Sequence, residues 1–297
     1  MRSKATAVSR SAITVVSAFA SGKGATIGID IPCTVRAELY RTENSKIGIR
    51  SEVADGSRLV STSAENSLKY LHAKLPKGLG LALSIDSKIP TAIGLKSSSA
   101  VSVAVTKAIF DLFSKSKASD SLQEILKLSC KSSIQSGASL TGAFDDAAAG
   151  LLGGLVFSDN LKFRLLRHEI LPDEIGTIVK ILVPANKKKL TSSLNLDNYY
   201  KFNKESREAL DYAHRGIFVQ AMLVNSIIHS IIHRYSLQPI ISAISEGSSA
   251  SGITGKGPAV AAICPNGKIS RRVESRWIEE NKGCGVITAS VTKPGMR

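Results

Sequence analysis

Residues 5–40 alternate apolar and polar side chains, and this period of two predicts strands on either side of the turn Ser21-Gly22-Lys23-Gly24. The interval 41–66 is polar and reads as a strand or two joined by loops. Alternation returns over residues 79–89, with Leu81, Leu83 and Ile85 on one face. That strand delivers the chain to Pro90 and then to a serine-led, apolar, helix-compatible run ending near Phe113. Helical spacing recurs over residues 122–135, while small residues dominate 137–154, interrupted by Asp145 and Asp146. Residues 155–158 and 177–183 have the character of buried strands. Between them the charged stretch 162–174 marks the expected domain boundary. Helical patterns follow over 205–215, 217–235 and 239–246, and residues 253–264 form a glycine turn leading into a strand. No internal repeat or low-complexity tract interrupts the pattern. The mixture implies an α+β or α/β class, and 297 residues suggest two domains, 1–165 and 166–297.

Composition narrows the function classes. The 43% hydrophobic and 21% charged content is that of a globular chain rather than a disordered one. A formal charge of +15 favours anionic partners: nucleic acid, acidic lipid, or small phosphates and carboxylates. The basic residues are scattered, apart from the run Lys187-Lys188-Lys189 and the pair Arg271-Arg272, and aromatics are scarce. The charge therefore reads as solvated surface, and no nucleic-acid partner is expected. Four cysteines without C-x-x-C spacing argue against a zinc site or disulfide framework and fit a reducing, cytoplasmic setting. The apolar run 12–20 behind Arg2 and Lys4 superficially resembles a signal peptide. Thr14 and Ser17 break it, so it reads as mature sequence. No stretch approaches the length of a membrane span, and no membrane partner is expected.

Three small-residue segments carry the candidate chemistry. The first is Gly22-Lys23-Gly24. The second is Pro90-Thr91-Ala92-Ile93-Gly94-Leu95-Lys96-Ser97-Ser98-Ser99-Ala100. The third runs Ala250-Ser251-Gly252-Ile253-Thr254-Gly255-Lys256-Gly257-Pro258-Ala259. None fits the P-loop pattern or a Rossmann glycine motif, and each alone is also the pattern of a tight connection. The second has what a polyphosphate needs: hydroxyls and small residues at the opening of a helix, whose first amides are unpaired and whose dipole is positive there. The bland alternative is an over-capped structural helix. Asp145 and Asp146, two carboxylates among small residues, are unusual because buried charge is costly without a partner. His229 and His233 stand four apart, a spacing suited to metal, but their isoleucine neighbours speak for helix packing.

The second segment resembles the phosphate-binding signature of the GHMP kinases, which usually reads Gly-Leu-Gly-Ser-Ser-Ala, with Lys96 here in place of the central glycine. That variant, together with Thr141-Gly142-Ala143-Phe144-Asp145-Asp146-Ala147, the third segment, the opening 20–30 and Met222-Leu223-Val224-Asn225, resembles the archaeal-type shikimate kinases over residues 5–264. The resemblance implies a two-domain α+β fold, an N-terminal domain like ribosomal protein S5 domain 2 and a ferredoxin-like C-terminal domain. It also implies transfer of the γ-phosphoryl of ATP, with Mg2+, to the 3-hydroxyl of shikimate. Homoserine kinase is the alternative within the class, and a non-catalytic RNA-binding module with an S5-like fold the alternative outside it.

Carried onto matching positions, residues Pro90 to Ala100 cradle the ATP phosphates and Ser98 faces the metal, with Ser97 second. Asp145 is the first choice for the base, Asp146 the other. Lys23 is its charge partner, and Gly252, Thr254, Gly255 and Lys256 contact substrate. Lys96 either points away from the phosphates or touches the nucleotide.

Overall fold

The computed structural model describes residues 3–43, 46–51, 57–114, 122–184 and 194–295. Two long strands organise the first sheet. β1 (Lys4–Val16) and β2 (Lys23–Arg41) pair antiparallel along most of their length. On its other edge, β2 takes β5 (Leu155–Asp159) along Lys23 to Ile27 and β4 (Leu79–Ser87) along Cys33 to Arg41. Between these two pairings the register with β1 slips, Arg10 facing Pro32 and Ser11 facing Ile29. A bulge is where a strand tolerates a proline, which has no N–H to give the ladder. β3 (Ile47–Ser51) adds to β4 in parallel and β6 (Arg164–Glu169) to β5 antiparallel.

Four helices pack with this sheet. α2 (Ser97–Phe113) lies on β1 and β2, flanked by α1 (Ser57–Tyr70) and α3 (Leu122–Gln135). Its Val101, Val103, Ala104, Val105, Ala108 and Ile109 are all buried, so it is a core helix rather than an amphipathic surface one. α4 (Phe144–Leu152), built almost wholly of small and apolar residues, packs against β1, β2 and β5.

The second sheet is antiparallel, in the order β10 (Gly285–Ser290), β7 (Ile178–Val183), β9 (Val260–Cys264) and β8 (Ala250–Ile253). α7 (Phe218–His233) packs on β8 and also on β1 of the first sheet. α6 (Asn203–His214) follows the short α5 (Asp197–Tyr200) and packs beside α7. α8 (Gln238–Ser245) and α9 (Gly267–Glu280) cover the remainder around the fully buried Trp277, whose indole N–H donates to the Pro239 carbonyl at 2.7 Å.

Some elements differ from the sequence expectation. The polar interval 41–66 contains the start of α1, whose buried face mixes Leu59, Val60, Ala64 and Leu68 with Ser63 and Ser67, so the apolar stripe is diluted. The charged boundary region contains β6, which keeps the chain in the first sheet through Glu169, so a division at 165 cuts a paired strand. The chain also returns after β10. Val291 bridges to Ile29, the Thr292 N–H donates to the Gly28 carbonyl at 2.9 Å, and the Gly154 N–H donates to the Thr292 carbonyl at 2.7 Å. No helix among the described residues is long and apolar enough to cross a membrane.

Candidate active site

The second and third small-residue segments meet backbone to backbone. Gly94 has a φ of +96°, and a Cβ there would collide with the Thr254 carbonyl oxygen. Gly255, at φ +58°, is equally confined, since its Cβ would lie 2.7 Å from the Gly94 carbonyl oxygen. Both positions therefore require glycine. Hydrogen bonds fix the junction. The Thr254 hydroxyl donates to the Gly94 carbonyl at 3.2 Å and accepts from the Thr14 N–H at 3.2 Å. The Gly255 N–H donates to the Thr14 hydroxyl at 2.9 Å. The loop after β8 thereby clamps the phosphate-type segment onto β1.

That junction leads into α2 through Lys96, which caps the helix in the left-handed conformation, φ +64° and ψ +25°. A left-handed non-glycine residue costs roughly 1–2 kcal/mol, and Lys96 offers no side-chain cap to the first turn. Its side chain instead crosses to Asp146. The ammonium lies 2.8 Å from Asp146 Oδ1, and the two side chains are only 9% and 11% exposed.

α4 begins in the same way, with Ala143 left-handed at φ +51° and no side-chain cap. Asp145 and Asp146 follow in its first turn, where the helix dipole favours negative charge. Asp145 has both oxygens engaged: Oδ1 accepts from Asn160 Nδ2 at 2.8 Å and Oδ2 from the Thr26 hydroxyl at 3.0 Å. Asn160 Oδ1 in turn accepts from the Asp145 N–H at 3.1 Å and the Ser158 hydroxyl at 2.6 Å. Asp146 is less committed. Its Oδ1 takes Lys96 and a longer contact from Thr26 at 3.4 Å, and Oδ2 has no partner among the described residues. Burial and the neighbouring Asp145 carboxylate push Asp146 up to about 7 against the pull of Lys96.

The two helix starts face a cavity of about 430 Å3. Pro90, Thr91, Ala92, Gly94, Leu95, Lys96, Ser97, Ser98 and Ser99 line it, as do Asp145, Asp146, Asn160, Gly255 and Lys256. Ser98 is the exposed member of the serine trio; Ser97 and Ser99 are buried. Further walls come from Ser17, Ala18 and Phe19 on the β1–β2 turn, Arg58 on α1, and Leu194.

A family model described as the GHMP kinases N terminal domain matches residues 59–154, the span holding both helix starts. The shikimate kinase of Pyrococcus furiosus is 35% identical over 270 residues, covering 91% of this chain and 93% of that protein. The shikimate kinase of Thermococcus kodakarensis is 34% identical over 256 residues, covering 85% and 89%. The chain belongs to the GHMP kinases.

Solved GHMP kinases share the whole fold. A homoserine kinase from Cytophaga hutchinsonii superposes with a TM-score of 0.74 at 16% identity, over 99% of this chain and 96% of that one. L. major mevalonate kinase, solved with R-mevalonate, gives 0.73 at 13% identity over 100% and 99%. These likenesses bear out the α+β GHMP kinase architecture.

The structure brings some of the residues expected from sequence to this cavity and places others away from it. Lys23 is exposed and does not line the cavity. Its neighbour Gly24 faces the Asp145 carboxylate, so strand alternation turns Lys23 to the opposite side of β2. The cation beside the acidic pair is Lys96. Thr254 is fully buried and spent on the glycine junction, and Gly252 exists for packing, since a Cβ would lie 2.9 Å from Ser226 Oγ and 3.0 Å from Met222 Cβ. Of the third segment, Gly255 and Lys256 reach the cavity. Ile93 and Ala100 are core residues, although the Ile93 carbonyl accepts the Ala259 N–H at 3.2 Å.

His229 and His233 share the Tyr199 hydroxyl, at 3.1 and 2.6 Å, and no group of three His, Cys, Asp or Glu suited to a metal occurs among the described residues. The Lys187-Lys188-Lys189 run lies outside the described residues. Thr26 and Asn160 escaped the sequence reading: neither sits in a motif, and only the pairing of β2 with β5 brings them to Asp145.

Proposed function

We propose that this GHMP kinase is a shikimate kinase, transferring the γ-phosphoryl of ATP to the 3-hydroxyl of shikimate to give 3-phosphoshikimate and ADP, with Asp146 as the base. The observation that carries the reading is the environment of Asp146. It lies beside the uncapped start of α2, is paired with Lys96, is raised toward neutrality, and has one oxygen with no partner among the described residues. A base is most effective with a pKa near the working pH. Asp145, saturated by Asn160 and Thr26, holds α4 and raises Asp146 through its charge.

Phosphoryl transfer asks mainly for positioning and charge stabilisation. The first-turn amides of α2 and the hydroxyls of Ser97, Ser98 and Ser99 hold the triphosphate, and the backbone junction of Gly94 with Gly255 fixes the loop that leads into them. Asp146 Oδ2 receives the proton of the attacking hydroxyl. As that carboxylate is neutralised its hold on Lys96 weakens, and the ammonium is left to the charge on the transferring group. Arg58 and Lys256 add positive charge to a cavity that takes a carboxylate and a polyphosphate.

The donor set fits magnesium carried by the nucleotide rather than caged by protein, because Mg2+ binds through phosphates, waters and one or two protein oxygens. Ser98, exposed in the cavity, is the residue to hold it, with the acidic pair facing it across the space. When bound, the ion neutralises charge on the β- and γ-phosphates.

Support for shikimate over homoserine comes from the archaeal relatives, named shikimate kinases at 34–36% identity, whereas the homoserine kinase likeness at 16% concerns fold alone. ADP release measured with each alcohol tests the reading. Turnover with shikimate is expected, and turnover with homoserine but not shikimate overturns it.

A further inference from the structure

Helix α7 turns a buried polar face toward the cavity wall made by Ser17 and Phe19. Asn225 and His229 stand on it four residues apart, one helical turn, and are 3% and 0% exposed. Each uses one polar atom within the protein. Asn225 Oδ1 accepts from the Ser17 N–H at 2.9 Å, and His229 Nδ1 meets the Tyr199 hydroxyl at 3.1 Å. The second atom of each, Asn225 Nδ2 and His229 Nε2, is buried without a hydrogen-bond partner. Among the described residues these are the only side-chain nitrogens in that condition. Buried polar atoms are nearly always paired, so two orphans a helical turn apart beside a cavity mark an unfinished binding surface.

The chemistry of this face is specific. Burial, His233 and Lys96 all oppose a charge on His229, which therefore stays neutral. A neutral amide and a neutral imidazole suit hydroxyl groups better than a carboxylate or phosphate. The Tyr199 hydroxyl bonds both His229 and His233, and either imidazole tautomer can be accommodated, so Nε2 can donate or accept. Phe19 lines the cavity and its ring lies 6.3 Å from that of His229, so cavity wall and polar face share this side chain.

We propose that Asn225 and His229 determine acceptor specificity, taking on Nδ2 and Nε2 the hydroxyl groups that the acceptor carries beside the reacting one, with Phe19 turning aside as the acceptor enters. The inference rests on the shikimate reading: shikimate presents two such non-reacting hydroxyls and homoserine presents none.

Steady-state kinetics with shikimate and with its 4-deoxy and 5-deoxy analogues test it. Asn225→Asp keeps the Oδ1 acceptor for Ser17 but removes the Nδ2 donor, and His229→Phe keeps the ring volume without its nitrogens. Either variant is expected to raise the shikimate KM about tenfold or more, leave the ATP KM in place, and discriminate less than wild type against the deoxy analogues. Discrimination against the deoxy analogues that is as strong in Asn225→Asp and His229→Phe as in wild type, whatever their KM, overturns the inference. The wild-type protein alone also decides: equal kcat/KM for shikimate and both deoxy analogues overturns it whatever the variants do. Absence of any shikimate phosphorylation by the wild type instead overturns the function reading.

Discussion

Lys96 and Asp146, fifty positions apart in the chain, meet at 2.8 Å because each stands at the start of a helix opened by a left-handed residue. The lysine occupies a conformation that suits glycine, and its side chain supplies a buried cation that no glycine could. Separating these two effects is straightforward. Lys96→Gly relaxes the backbone yet removes the ammonium, whereas Lys96→Met removes the ammonium alone. Both are expected to lower kcat by at least about a hundredfold, the scale of one electrostatic group in a phosphoryl-transfer site. Lys96→Gly is expected to be the more stable of the two by about 1 kcal/mol in urea unfolding. A Lys96→Gly protein with normal kcat contradicts the role assigned to the ion pair.

The pH dependence of turnover has a defined sign. Asp146 must be ionised to accept a proton, and burial beside Asp145 raises it to about 7. The acceptor kcat/KM should therefore fall about tenfold per pH unit below an acidic limb near pH 7. Lys96 lowers the Asp146 pKa, so in the residual activity of Lys96→Met the limb should move to higher pH. A profile flat down to pH 5 is incompatible with this base.

Stability carries a separate signature from His229, which burial pushes down to about 3. The folded protein keeps this imidazole neutral while the unfolded chain protonates it below about pH 6.5, so the contribution is complete above that pH and is lost as pH falls toward 3. Between pH 7 and pH 4.5 wild type should lose about 2.5 kcal/mol more than His229→Leu by urea unfolding, from the usual 1.4 kcal/mol per unit. Equal losses contradict a buried neutral His229.

Thr254 offers a test of the junction between the loop after β8 and the segment leading into α2. Its hydroxyl serves the Gly94 carbonyl and the Thr14 N–H. Thr254→Val strands both, and about 2 kcal/mol of stability should go with them. KM for ATP and acceptor should hold in the folded fraction. A raised acceptor KM with unchanged stability would restore Thr254 as a substrate contact.

Much of this architecture was legible in the apolar pattern: the β1–β2 ribbon, α3, α6, α7 and α8 follow their spacing, and α2 shows as a continuous apolar run behind its serines. α1 was not, since serines occupy part of its buried face. α4 was masked by its own composition, small residues being as common in loops as in tightly packed helices. Within the site, the helix opening and the acidic pair announced themselves through residue type. Their partners did not. Lys23 looked suitable because it lies between glycines, but strand alternation, invisible until Gly24 is seen against Asp145, sends it to the other face. Lys96 was noticed only as a departure from the family glycine, and its destination depends on how α2 and α4 dock. Thr26 and Asn160 act through sheet pairing, for which a short sequence motif has no signature.

The central claim is that Asp146, rather than Asp145, takes the acceptor proton. The most direct measurement is ADP release at saturating ATP and shikimate from Asp146→Asn and Asp145→Asn, with nucleotide binding measured alongside. Asp146→Asn should lose at least about a hundredfold in kcat, the lower end of what a positioned base contributes, while binding ATP normally. Asp145→Asn should lose less. An Asp146→Asn enzyme that turns over at the wild-type rate contradicts the account.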